Sequence, residues 1–230
     1  MLACVFAFAI GLHAAPEPEL VDIRKVDPTI VVELRYAGSR NIAQRPIYPE
    51  KMPALVRPGL AAQLVVAQNY LRERGFRLKI WDAYRPKAAH EQLWQLYPNK
   101  AFVANPADGI GSLHTWGVAV DATLVDDEGR DVLMPTDFDE FTPAAVLRYA
   151  GGDALVRTHL HTLQRAMARA GFFGMRTEWW HFVAKNWEKY RAIDPPPAVA
   201  EIPPAPAIPV SQAAARTRAM ASGGSSMGSR

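Results

Sequence analysis

Apolar residues recur at helical spacing at Leu60, Leu64, Ala67 and Leu71, and Gly75 supplies a stop. A second run of the same kind, Val156, Leu160, Leu163, Met167 and Ala170, is closed by Gly171. Between these two predicted helices the pattern changes. Residues 77–84 (RLKIWDAY) read as a strand. Pro86 then takes a first helical position and residues 87–97 continue as a helix. Residues 99–112 are broken by Asn105, Pro106, Asp108, Gly109 and Gly111, and predict a loop. Residues 118–125 alternate as a strand. Asp126-Asp127-Glu128-Gly129 then reads as a hairpin turn leading to Val132 and Leu133. Residues 177–183 predict a short aromatic strand. Helices and antiparallel strands mix without a βαβ rhythm and without an internal repeat, which is the pattern of an α+β fold.

The two ends differ from this middle. Met1 to Ala15 (MLACVFAFAIGLHAA) is an apolar run ending in small residues. It is short for a bilayer span and fits a secretory signal with cleavage near Ala14 or Ala15, although a basic start is missing. A mis-assigned start or a buried N-terminal segment is the plainer alternative. Residues 194–230 open with DPPPAVAEIPPAPAIPV and become rich in Ala, Ser and Gly. Such a segment buries too little apolar surface to offset its ordering entropy, so a disordered tail is expected. One domain over residues 18–193 remains.

Composition narrows the function classes. The chain has 230 residues, 49% of them hydrophobic, enough for one sizeable core. The formal net charge of +3 is not gathered into a basic stripe, so nucleic-acid binding is not expected. The single cysteine, Cys4, excludes an intrachain disulfide, a Cys-based zinc cage and, lying in the leader, a Cys–His peptidase. His90-Glu91 opens like a helical zinc motif, but Trp94 stands where the second histidine would be needed.

Metal-competent and titratable side chains concentrate in three segments: Ser112 to Asp121 (SLHTWGVAVD), Glu178 to His181 (EWWH) and Trp81 to Pro86 (WDAYRP). Zinc accepts imidazole and carboxylate, and a catalytic zinc keeps three protein ligands with one open position. His114 ends a glycine-punctuated loop, Gly117 lets the backbone turn, and Asp121 follows in a strand. His181 would close the set from a second strand. Glu178 would serve as general base, and Arg85, with its fixed donor fork, would meet a developing oxyanion. In an ideal strand Glu178 and His181 point to opposite faces, so a bulge or bend at Trp179-Trp180 is required. Each residue also has a plainer reading. His114 could be structural, Asp121 a buried acceptor, Arg85 a partner of Asp82, and the two tryptophans ordinary core.

Taken together, Ser112, His114, Gly117, Ala119 and Asp121, followed by Glu178, Trp180 and His181, match the pattern S-x-H-x-x-G-x-A-x-D … E-x-W-H. With WDAYRPKAA around Arg85 and RYAGSRNIAQRPIY around Tyr36, the chain resembles the VanX-type D-alanyl-D-alanine dipeptidases of the D-Ala-D-Ala metallopeptidase and hedgehog-like superfamily. That resemblance implies a single hedgehog/D,D-peptidase-like domain with a mixed, mainly antiparallel sheet flanked by helices. It implies one Zn2+ per chain held by His114, Asp121 and His181, Glu178 as catalytic base, and Arg85 as transition-state stabiliser. It further implies that Tyr36 and Asp139 receive the substrate's free ammonium and that Ser112 helps hold the substrate.

The expected activity is hydrolysis of D-Ala-D-Ala or a similar small D,D-dipeptide. The alternatives are a D,D-carboxypeptidase acting on peptidoglycan stems and a non-catalytic zinc-binding module. A signal peptide would place the enzyme in the periplasm or outside the cell; without one it would be cytoplasmic. No stable membrane span is expected.

Overall fold

The computed structural model describes residues 19–193. The expected signal at residues 1–15 and the expected tail at 194–230 lie outside these described residues. The chain begins with β1 (Val21–Asp22), α1 (Ile23–Val26) and β2 (Val31–Val32), then reaches β3 (Leu55–Val56). It continues through α2 (Pro58–Arg72), β4 (Phe76–Asp82) and α3 (Lys87–Leu96) to β5 (Ala119–Asp126). It closes with α4 (Ala154–Arg169), β6 (Phe172–Gly174) and β7 (His181–Ala184). The main sheet has the order β2-β4-β5-β7-β6, with β2 parallel to β4 and the other neighbours antiparallel. β1 and β3 form a separate antiparallel pair. The fold is α+β, with a mixed, mainly antiparallel sheet.

The two long helices form for the reasons their spacing suggests. α2 starts with Pro58 at a position where a missing N–H costs nothing, and buries Leu60, Leu64, Ala67 and Leu71 along one stripe. α4 is capped by Asp153, whose carboxylate accepts from the N–H groups of Leu155 and Val156. It buries Val156, Leu160, Leu163 and Met167. The helices pack on each other and on the sheet. Central β5 has Val120, Ala122 and Leu124 in the apolar core, while the alternate residues Ala119, Asp121 and Thr123 face the other side. That second face is covered too, since all but the last residue of β5 are buried.

Some expectations need correction. Pro86 is the residue before α3 rather than its first turn, because its ψ of 141° is extended. The predicted strand over 177–183 is a strand only from His181. The N–H of His181 donates to the carbonyl of Glu178 at 3.3 Å, so residues 178–181 form a tight turn. The two-residue strands β1, β2 and β3 have no counterpart in the pattern of the chain. Among the described residues no helix is long and apolar enough to cross a membrane.

Candidate active site

Strand register assembles the first part of the site. β5 and β7 pair with Asp121 directly opposite His181. Opposed residues of an antiparallel pair share a face and lie close, so their side chains meet without any special loop. The Nδ1 of His181 is 3.0 Å from Oδ1 of Asp121. On the other side of β5 the register with β4 shifts between Ile80 and Asp82, a bulge at Trp81 that sets Asp82 opposite Asp121. Residues from three adjacent strands therefore converge.

His114 arrives from a short 3-10 turn, Leu113–Trp116. Ser112 caps it, accepting from the His114 N–H at 3.4 Å. Gly117 ends it in the left-handed region with φ of 70°, where an added Cβ would sit 2.7 Å from Leu20. The imidazole Nδ1 lies 2.8 Å from the Ala83 carbonyl, a group that can only accept. Nδ1 therefore carries the hydrogen, and the Nε2 lone pair is left free. That Nε2 lies 3.1 Å from Nδ1 of His181 and 3.4 Å from Oδ2 of Asp121.

Two imidazole nitrogens and the two oxygens of one carboxylate thus face one another, with contacts of 3.0, 3.1 and 3.4 Å. Tetrahedral zinc with ligands at their usual distances would separate them by roughly 3.3 Å. The donor set and its spacing fit a metal ion, and these three residues form the His/Asp cluster able to hold one among the described residues.

The turn before β7 answers the geometric demand on Glu178. Because residues 178–181 double back, Glu178 and His181 both line the same cavity instead of opposite faces. The turn is fixed by its tryptophans. Trp179 and Trp180 are fully buried, cross at 86°, and pack on Trp81 and Phe138. The indole of Trp179 donates to Thr136 at 2.9 Å. They are core residues, as the plainer reading had it, and their packing serves the site.

Arg85 is held by Asp82, to which its Nε and Nη2 donate at 3.0 and 2.7 Å. The reading of Arg85 as a partner of Asp82 and its placement in the cavity are both correct. Asp82 also accepts from the Tyr48 hydroxyl at 2.7 Å. The guanidinium stands over the Tyr36 ring at 4.8 Å, and its Nη1 lies 3.4 Å from Nδ1 of the buried His90. Tyr48 was not singled out in the sequence, His90 was weighed only as part of a failed zinc motif, and Asp82 only as a plain partner of Arg85.

A cavity of about 250 Å³ is lined by all eight sequence candidates: Tyr36, Arg85, Ser112, His114, Asp121, Asp139, Glu178 and His181. Its apolar wall includes Leu93, Phe102, Phe141 and Met175. Asp139 is only partly exposed as a residue, and its carboxyl turns inward and accepts from the Ile42 N–H at 3.0 Å.

The electrostatics are those of a site short of positive charge. Burial pushes the Glu178 carboxyl up to about 8, with Asp121 and Asp139 adding to the rise and His181 and Arg85 opposing it. Burial likewise raises Asp139 to about 7, against the Ile42 hydrogen bond. At Asp121 burial is outweighed by His114 and His181, which hold the carboxyl below the usual range. Burial depresses His114, but Asp121 and Asp82 more than compensate and its basicity rises. Burial and the nearby Arg85 charge lower His90 to about 3, so its ring is neutral.

Comparisons with known proteins agree on one family. The Peptidase_M15 profile, described as D-Ala-D-Ala dipeptidase, matches residues 16–191. A D-alanyl-D-alanine dipeptidase of Escherichia coli (strain K12) is 33% identical over 164 residues, covering 71% of this chain and 83% of the relative. Proteins of the same name from Enterococcus faecium and Streptomyces coelicolor are 27% and 28% identical. Each alignment covers 67% of this chain and 85% of the relative.

Proposed function

The chain belongs to the Peptidase_M15 family of D-Ala-D-Ala dipeptidases, and from that premise we propose how its own residues carry out the hydrolysis of D-Ala-D-Ala or a similar small D,D-dipeptide. The observation that carries the assignment of roles is the charge balance of the cavity. Asp82, Asp121, Asp139 and Glu178 face it or border it, with Arg85 as the one arginine among its lining residues. Two cations satisfy such a site, a metal at the His114–Asp121–His181 corner and an ammonium at the Tyr36–Asp139 end.

His114, Asp121 and His181 would hold a zinc ion at that corner, which would supply Lewis-acid activation of water and polarisation of a carbonyl. The protein does the rest. Glu178 accepts the proton of the attacking water and passes it to the leaving amine. Burial in the metal-free site raises the Glu178 carboxyl above its ordinary value, the direction that makes it a stronger base for this transfer. Arg85 has five N–H groups; two are committed to Asp82 and one is directed at His90, which leaves two for the developing oxyanion. Asp139 binds the free amino group, with the Tyr36 ring as the neighbouring wall, and Ser112 lies along the same cleft.

This assignment demands a free amine. Turnover of D-Ala-D-Ala should far exceed that of its N-acetylated form and of longer stem peptides. Preference for the blocked or longer substrates would replace the dipeptidase with a D,D-carboxypeptidase. Absence of turnover of all three by the zinc-loaded protein would favour a binding module.

The apolar run from Met1 to Ala15 supports an exported enzyme, working in the periplasm or outside the cell on dipeptide released from the cell wall. Fractionation of cells expressing the full chain should place a form shortened near Ala15 outside the cytoplasm. An uncleaved cytoplasmic chain would overturn that placement.

A further inference from the structure

The amine end of the cavity is built without a sheet. Tyr36 lies on a short 3-10 turn, Arg35–Ala37, and Asp139 on an irregular segment about a hundred residues later in the chain. Three consecutive residues dock the second segment onto the first. Asp137 lies 3.3 Å from the guanidinium of Arg35 and 2.9 Å from that of Arg40. Phe138 sets its ring edge-on to Tyr36 at 5.3 Å. Asp139 accepts from the Ile42 N–H.

The geometry at Asp139 has to be held in place. Its φ is 57°, a left-handed conformation that aspartate tolerates but does not prefer, so surrounding contacts must hold it. The Asp137 end of the clamp is anchored by Arg35, which is only 3% exposed and packs over the Trp81 ring at 4.9 Å. Nε of Arg35 meets Glu33 at 3.1 Å, and Asp137 is its other carboxylate. Removing Asp137 therefore leaves a buried cation with one partner fewer, a larger disturbance than loss of an exposed pair.

We propose that Asp137, gripped by Arg35 and Arg40, is a positioning and specificity residue. It clamps the 137–139 segment onto the 35–42 segment and so holds Tyr36 and Asp139 at the spacing that accepts a free amine and closes the cavity to blocked ones. The proposal rests on the dipeptidase reading above. It concerns a residue that touches neither substrate nor metal.

The test is steady-state kinetics of the zinc-loaded full chain with D-Ala-D-Ala and with N-acetyl-D-Ala-D-Ala. In Asp137→Asn, KM for the free dipeptide should rise roughly tenfold while kcat stays within about twofold. The preference for the free over the acetylated substrate should fall with it, and Asp137→Glu should restore most of the loss. A folded, zinc-replete Asp137→Asn with unchanged KM and preference overturns the proposal. So does an equal loss of kcat on both substrates. If Asp137→Asn does not fold, Arg40→Gln removes only the exposed arm of the clamp and should give a several-fold rise in KM; an unchanged KM there overturns the proposal as well. If the wild-type chain shows no preference for the free amine, the dipeptidase reading itself has failed, and that outcome is distinct from any effect of Asp137.

Discussion

The two ends of the cavity are built on different principles. The metal corner sits mainly on strands: Asp121 and His181 oppose each other in a ladder, a bulge brings Asp82 beside them, and only His114 comes from a capped 3-10 turn. The amine end sits on loops, held by an ion-paired clamp, an aromatic edge and one backbone hydrogen bond. A ladder fixes side-chain spacing through many backbone bonds, so a single substitution moves it little. A clamp fixes spacing through a few side chains, so one change can loosen it. The first arrangement suits ligands that must converge on a single ion. The second suits a wall whose position sets which substrates fit.

The largest effect should come from Glu178→Gln at the metal end. The amide cannot take a proton from water, so kcat should fall by roughly 10²–10⁴-fold. Zinc should remain near one per chain, because the His114–Asp121–His181 cluster is untouched. KM should change little, in contrast to the KM-led loss expected when the amine end is loosened through Asp137. Metal analysis and kinetics on one preparation check both parts. A near-normal rate would assign the base to another group. A large KM effect would show that the two ends are not separable.

The same contrast explains what the sequence could and could not reveal. α2 and α4 were visible because Leu60, Leu64 and Leu71, and Leu160, Leu163 and Met167, repeat at the helical period over several turns. β4 was visible in residues 77–84 and β5 in the alternation over 118–125. Strands β1, β2 and β3 have two residues each, too few for any alternation to register. The metal corner was legible because its three candidates lie in compact motifs. What the motif could not supply was the turn at residues 178–181, since a run of strand-favouring aromatics reads as extended until their burial against Trp81 and Phe138 bends it. Asp82 was legible as a partner of Arg85, but that it is fully buried and set opposite Asp121 follows only from the bulge at Trp81. The clamp at Asp137 has no local signature at all. Its partners, Arg35 and Arg40, are about a hundred residues away, and only the folded chain brings them together.

A smaller effect, on stability rather than rate, separates the two ends by pH. In the metal-free protein Asp139 is raised from its ordinary value to about 7, and Glu178 to about 8. A group whose folded pKa is raised binds its proton more tightly in the folded state. Its stabilising contribution is complete below the ordinary carboxylate pKa and is lost as pH rises through the folded value. Both groups therefore make the metal-free protein progressively less stable as pH rises from about 4 to 8. His114, also raised, acts in the same direction at the upper end of that window. Asp121, held low, acts in the opposite direction but only at more acidic pH, outside it.

Melting curves of chelator-treated protein across this range should show the decline. Zinc binding requires deprotonated ligands and strengthens as pH rises, so the zinc-loaded protein should lose the decline or reverse it. Asp139→Asn removes the titrating group of the amine end only. The metal-free variant should keep the part of the decline due to Glu178, which runs on toward pH 8, and lose the part due to Asp139, which ends near pH 7. A variant as steep as the wild type would mean that Asp139 titrates normally, and that the amine end is wetter than its enclosed carboxyl implies.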